Sequence, residues 1–103
     1  MNKYTELSDF EINKKVAESL FLKFTDSWSV ILVDGESFDP CNNPSDAMPI
    51  IIDNKISAVP QLNGDLWICS HHPFYVTTNN LYRAAMELFL LMKDAENENN
   101  NNS

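Results

Sequence analysis

The chain predicts an α+β fold in which an N-terminal and a C-terminal helix pack on a small, mostly antiparallel sheet. Two observations carry that reading. Apolar residues recur at helical spacing near both ends, at Ile12, Val16, Ala17 and Leu20 and again at Leu81, Ala84, Ala85, Leu88, Leu91 and Met92. Between them the order is strand, short helical turns, hairpin and a further strand, which is the pattern of helices segregated onto an antiparallel sheet.

The first helix is announced by Ser8-Asp9-Phe10-Glu11, a capping box in which Ser8 and Glu11 satisfy each other's backbone amides. Leu7 and Ile12 are placed as the accompanying hydrophobic staple, and Asp9 and Glu11 suit the positive end of the helix dipole. The helix is expected over Asp9–Phe21. Trp28–Val33 is rich in β-formers and ends at the turn signal Asp34-Gly35, so a strand with both faces largely covered is expected there. Phe38–Asp46 is packed with Asn, Asp and Pro and reads as an ordered loop. Asn43 before Pro44 can cap a helical turn. Pro49 argues for two short turns over one continuous helix, with Asn54 as a left-handed residue closing the second. Ile56–Val59 and Leu66–Ser70 flank Asn63-Gly64-Asp65 and read as a hairpin, and Phe74–Thr78 as a further strand. Asn79 or Asn80 caps a last helix that runs to about Asp94. Residues 1–95 are therefore read as one globular domain, and 96–103 as a disordered, Asn-rich tail with no apolar surface to bury.

Composition excludes several classes of function. The formal charge is −8, with seven basic residues against fifteen acids, which argues against direct binding to nucleic acid or to an anionic membrane. From Asp26 to Asp53 the chain has no basic residue and six acidic ones: Asp26, Asp34, Glu36, Asp39, Asp46 and Asp53. That stretch is a solvated acidic face or a surface for a basic partner. No apolar run approaches membrane-spanning length and the N-terminus lacks a signal-peptide core, so a cytoplasmic location is expected. Cys41 and Cys69 are too few for a disulfide framework.

Candidate chemistry is sparse. Gly35 and Gly64 are the two glycines, and both stand in turns, so no Gly-rich phosphate loop is present. Cys69 and His71 can share one strand face, with His72 adjacent and Cys41 at a distance, but the spacing matches no strong zinc pattern and burial of Cys69 is the simpler reading. Asp39 and Asp46 flank the loop and can hold a divalent ion, although local capping explains both more simply. Trp28 and Trp67 are read first as core residues. A second reading places one of them against a ligand ring, with the loop amides beside it.

Four segments then resemble a known family, that of the phage ninX-like proteins. They are Leu7–Asn13, the block Phe38-Asp39-Pro40-Cys41-Asn42-Asn43-Pro44-Ser45-Asp46-Ala47-Met48-Pro49-Ile50-Ile51, and the later pieces Asn54–Ser57 and Leu81–Met86. The central block is the most specific. Members often carry Trp where this chain has Met48, and residues 71–78 fit less well. The resemblance implies a protein of tailed phages or prophages, encoded in an accessory region and acting in the host cytoplasm. It implies no agreed activity and no cofactor.

Three functions are weighed in that setting. The first is a non-catalytic module that sequesters a small nucleotide-derived signal, with Trp28, Phe38, Asp39, Asn42, Asn43, Asp46, Trp67 and Arg83 as ligand-binding residues. Phosphate contacts would fall to Arg83, Lys55 or, in a homo-oligomer, a neighbour's Lys14 and Lys15. The second is an acidic inhibitor or DNA mimic that binds a host defence protein. The third, ranked last, is a metal-dependent hydrolase using Asp39, Asp46 and His71 or His72; no catalytic residue is assigned.

Overall fold

Ser8 opens the first helix, α1 (Asp9–Ser19), through the expected capping box. Its hydroxyl accepts from the Glu11 amide at 3.1 Å, and the Glu11 carboxylate accepts from the Ser8 amide at 3.1 Å. The hydrogen bond from the Ser8 backbone also holds the Glu11 carboxyl below the usual range. The computed structural model describes residues 2–101, with side chains through Glu98. α1 stops two residues short of the expected Phe21 because that residue turns into the left-handed region at φ +58°. The Phe21 amide then reaches the Glu18 carbonyl and the Leu22 amide the Ala17 carbonyl, a Schellman closure without glycine.

The single strand expected over 28–33 is instead a hairpin. β1 (Phe24–Ser27) pairs antiparallel with β2 (Val30–Val33), in the register Phe24↔Val33 to Ser27↔Val30. Trp28 and Ser29 form the turn, Trp28 at φ +58° with 97% of its surface exposed. Trp28 is therefore not core. The sequence hides this turn, since no Gly, Asn or Asp marks it. Coverage is also thinner than expected, for Ile31 is buried while Val30 is exposed. Asp34 and Gly35, both at positive φ, lead into β3 (Glu36–Ser37), which completes a three-stranded sheet in the order β1-β2-β3.

α2 (Pro44–Asp53) is one continuous helix, not two turns. Asn43 caps it by accepting from the Ser45 amide at 3.0 Å. Pro49 removes one helical bond, the one to the Ser45 carbonyl, but both residues are exposed and water can satisfy that oxygen. The left-handed residue at its end is Lys55, at φ +53°, rather than Asn54, whose side-chain amide instead donates to the Ile50 carbonyl.

A second antiparallel sheet follows as a meander of β4 (Ser57–Pro60), β5 (Trp67–His71) and β6 (Phe74–Thr78), with the expected hairpin and further strand both in place. Ala58, Cys69 and Val76 stand opposite one another and face the core. Asn80 caps α3 (Leu81–Asn101), accepting from the Tyr82 and Arg83 amides. Residues 84–90 of α3 are all buried, not a single stripe, because α1 and α2 cover it on some sides and the second sheet on another. α3 also runs past Asp94, through the polar segment expected to be disordered, as far as Asn101; a helix satisfies its own backbone there without needing burial. Residues 102 and 103 of that expected tail lie outside the described residues.

The architecture is thus α+β, with three helices and two three-stranded antiparallel sheets among the described residues. Ser8→Ala should lower stability by about 1 kcal/mol, the usual loss at a helix N-cap. In a chain of this size that reads as a fall of roughly 4–8 °C in the thermal midpoint.

Candidate functional site: a polar-floored cleft beside the hairpin

The loop expected over Phe38–Asp46 ends at Asn43, where α2 begins, and it is held by its own side chains, by Asp46 in the first turn of α2, by α1 and by the cap of α3. Asp46 accepts from the Asp39 amide at 2.9 Å and from the Asn43 side chain at 3.2 Å. Asn13, on α1 and 5% exposed, donates to Asp39 at 2.7 Å and accepts from the Cys41 amide at 3.1 Å. Asn42 donates to Asp9 at 3.0 Å and to both Asp39 oxygens. From the other side the Asn80 side chain donates to the Cys41 carbonyl at 3.0 Å and to Asn42 at 3.3 Å. The loop is rigid because its carboxylates and amides bind one another and the helices beside it.

Arg83 anchors this network. Its Nη1 donates to Asp9 at 2.7 Å and its Nε to Glu87 at 2.6 Å. Its Nη2 donates to the carbonyls of Tyr4 and Leu7 at 2.9 and 2.7 Å. The Arg83 side chain is 12% exposed and that of Glu87 only 3%. Burial alone would lower the Arg83 pKa and raise that of Asp9. Hydrogen bonds outweigh it, from Asn42 and then Arg83 at Asp9 and to Glu87 and then Asp9 at Arg83, so Arg83 sits above its ordinary value and Asp9 below.

Over this floor lies a cleft of about 400 Å³. The start of α1 supplies Ser8, Asp9, Phe10 and Asn13, the β1–β2 hairpin Ser29, Val30 and Ile31, and the loop region Ser37, Phe38, Asp39 and Asn42. The lining therefore holds two carboxylates, two phenyl rings and no cation. Of the residues singled out in the sequence, the structure gathers Phe38, Asp39 and Asn42 here. Asn43 and Asp46 stand just behind, as the cap of α2 and a brace of the loop. Trp28 is the residue before Ser29, at the exposed tip of the hairpin. Trp67 lies on β5 in the other sheet and does not line the cleft. Arg83 belongs to the scaffold beneath. Met48 is on α2, 40% exposed, and is not part of the lining.

Sequence reasoning missed Asp9, Phe10, Asn13, Ser29 and Asn80. Asn13 did leave a signal: a polar residue adjoining the apolar positions Ile12, Val16 and Ala17 needs a buried partner. Both cysteines are fully buried. Burial pushes the Cys69 thiol up to about 11 and raises that of Cys41 further, so neither is a ready thiolate. Cys69 approaches the Leu81 carbonyl, and His71 the Lys55 carbonyl. Among the described residues no three His, Cys, Asp or Glu side chains converge as metal ligands. No described helix is long and apolar enough to cross a membrane.

Fold and cleft together define a small α+β domain whose polar groups brace a loop. The family model described as Bacteriophage P22, NinX matches residues 3–93, and the chain belongs to that family. No curated protein and no solved structure matches it.

Arg83→Met would leave Glu87 buried without its cation, and should cost about 3–5 kcal/mol in urea unfolding. Asn42→Ala, at an exposed position, should cost about 1 kcal/mol or less. A pH titration tests Asp9. Its depressed carboxyl contributes stability above the unfolded value of about 3.9 that is lost as pH falls through the folded value. The stability gap between the native chain and Asp9→Asn should therefore be widest near neutrality and close below about pH 4.

Proposed function

We propose that this chain is a non-catalytic phage accessory protein that binds a basic protein of the host, with the cleft receiving a lysine or arginine side chain. One observation carries the reading: the cleft lining holds the carboxylate of Asp39 beside the rings of Phe10 and Phe38, with Asp9, already paired to Arg83 from beneath, and no cation of its own. Carboxylates attract an ammonium or guanidinium group, and an aromatic face adds a cation–π contribution of about 0.5–2 kcal/mol. A net charge of −8 steers basic partners toward the same surface. Trp28 supports a macromolecular partner over a small one. It is a large aromatic residue held fully in water at an unfavourable positive φ, the kind of anchor that protein interfaces bury. In a bacteriophage family, host defence proteins are the natural class of target.

Sequestration of a nucleotide-derived signal fits the geometry less well. Phosphates need cations, and the one arginine of the chain is already bound to two carboxylates and two carbonyls.

Thermal melts decide between the two. An Arg- and Lys-rich peptide should raise the midpoint, with an effect that weakens as salt is added. Trp28→Ala should reduce that stabilisation while leaving the midpoint of the free protein unchanged, since its side chain touches little. Stabilisation by ADP-ribose or a cyclic dinucleotide, with none by the peptide, would sink the proposal.

A further inference from the structure

A sheet edge exposes a row of unpaired amides and carbonyls, and folded proteins blunt such edges with charge, proline or brevity. Three of the four edges here are blunted. β3 is two residues long and carries Glu36. β4 ends on Pro60, which has no amide to offer. β1 carries Asp26, paired with Lys14 of α1 at 3.0 Å. The fourth edge is β6, whose five residues, Phe-Tyr-Val-Thr-Thr, are all good strand formers and include neither charge nor proline. Its one strand partner is β5, and among the described residues no backbone hydrogen bond reaches it from any other element.

A hollow of about 380 Å³ lies along that edge. Tyr75, Val76, Thr77 and Thr78 all line it, and consecutive residues point to opposite faces of a strand, so the hollow follows the edge rather than one face. Its far wall is Asn2, Thr5 and Glu87. A second hollow of about 400 Å³ shares Asn2 and is bordered by Phe74, Leu91, Asp94 and Glu98. Glu87, Leu91, Asp94 and Glu98 follow one another at helical spacing down one side of α3. The two hollows thus meet three carboxylates: that of Glu87, which is buried and paired with Arg83, that of Asp94, paired with Lys3 at 3.1 Å, and that of Glu98. None of these residues lines the cleft at Phe10 and Phe38, so occupancy of the β6 edge is independent of the role proposed for that cleft.

We propose that the free edge of β6 and the hollows beside it take up an extended, lysine- or arginine-bearing segment of a partner protein, which adds a fourth strand to the β4-β5-β6 sheet. Main-chain pairing supplies the recognition, as in other cases of strand addition. The chain's charge of −8, with Glu98 at the rim of the second hollow, favours basic side chains on the incoming strand. A second copy of this chain fits poorly in that role, since two chains of charge −8 repel each other.

The probe is a labelled hexapeptide, Lys-Val-Lys-Val-Lys-Val, titrated into the full chain and read by anisotropy and by hydrogen exchange of amides 74–78. Binding with protection of those amides is expected, and Glu-Val-Glu-Val-Glu-Val should bind at least tenfold more weakly. Two N-methylated versions supply the stringent control, each blocking alternate amides and hence one edge of the peptide strand. One should lose binding and the other keep it. Equal binding of both, loss of both, absence of binding by the parent peptide, or association of the chain with itself through β6 would each overturn the proposal. Thr77→Lys, on an exposed position of the edge, should weaken the parent peptide at least tenfold with little change in melting midpoint.

Discussion

Arg83 sits where three pieces of chain meet, and the rest of the structure depends on how its guanidinium is used. Four of its bonds reach Asp9, Glu87 and the carbonyls of Tyr4 and Leu7, so the N-terminal segment, the start of α1 and the first turns of α3 are fixed to one planar group. Asp9 then passes the constraint to Asn42, and Asn80, three residues before Arg83, grips that same residue and the Cys41 carbonyl beside it. Asp9 and Tyr4 are more than seventy residues from Arg83 in sequence, so the clamp cannot close until α3 has been made. Core packing of α1 and α2 against Ala84–Leu90 waits on the same event.

The same arrangement sets how the loop before α2 is held. Asn13, Asn42, Asn43 and Asn80 act here as substitutes for backbone pairing, each offering its amide group to a segment that has no strand partner. That leaves the loop rigid but largely self-satisfied. Its outward contribution to the cleft is the Phe38 ring and the remaining lone pairs of Asp39, with Phe10 and Asp9 opposite.

Much of this was legible in the sequence where a single local rule decides the outcome. Ser8-Asp9-Phe10-Glu11 forms its capping box, Asn43-Pro44 opens a helix, and Asn63-Gly64-Asp65 joins two paired strands. What was not legible depends on competition between local signals and tertiary cover. Trp28 reads as a strand residue because its neighbours are β-formers, yet nothing packs over it and the chain reverses there. Pro49 reads as a helix breaker, yet its lost bond faces water and the helix passes through it. Arg83 reads as a free cation because its partners, Asp9 and two carbonyls, are far away in sequence. The block Phe38–Ile51 spans the loop and most of α2: Phe38, Asp39 and Asn42 line the cleft, Asn43 and Asp46 stand behind it, and Ala47, Ile50 and Ile51 belong to the core.

The exposure of Trp28 also makes the protein its own indicator. An indole in water emits at long wavelength and is open to collisional quenchers, whereas Trp67, half-covered on its strand, is shielded by its neighbours. The chain therefore carries an optical reporter at the tip of its first hairpin, with a second fluorophore in the other sheet as an internal reference. Anything that settles over the hairpin will shift the emission of Trp28 to the blue and protect it from quenching, so occupancy of that surface can be followed in solution without a label.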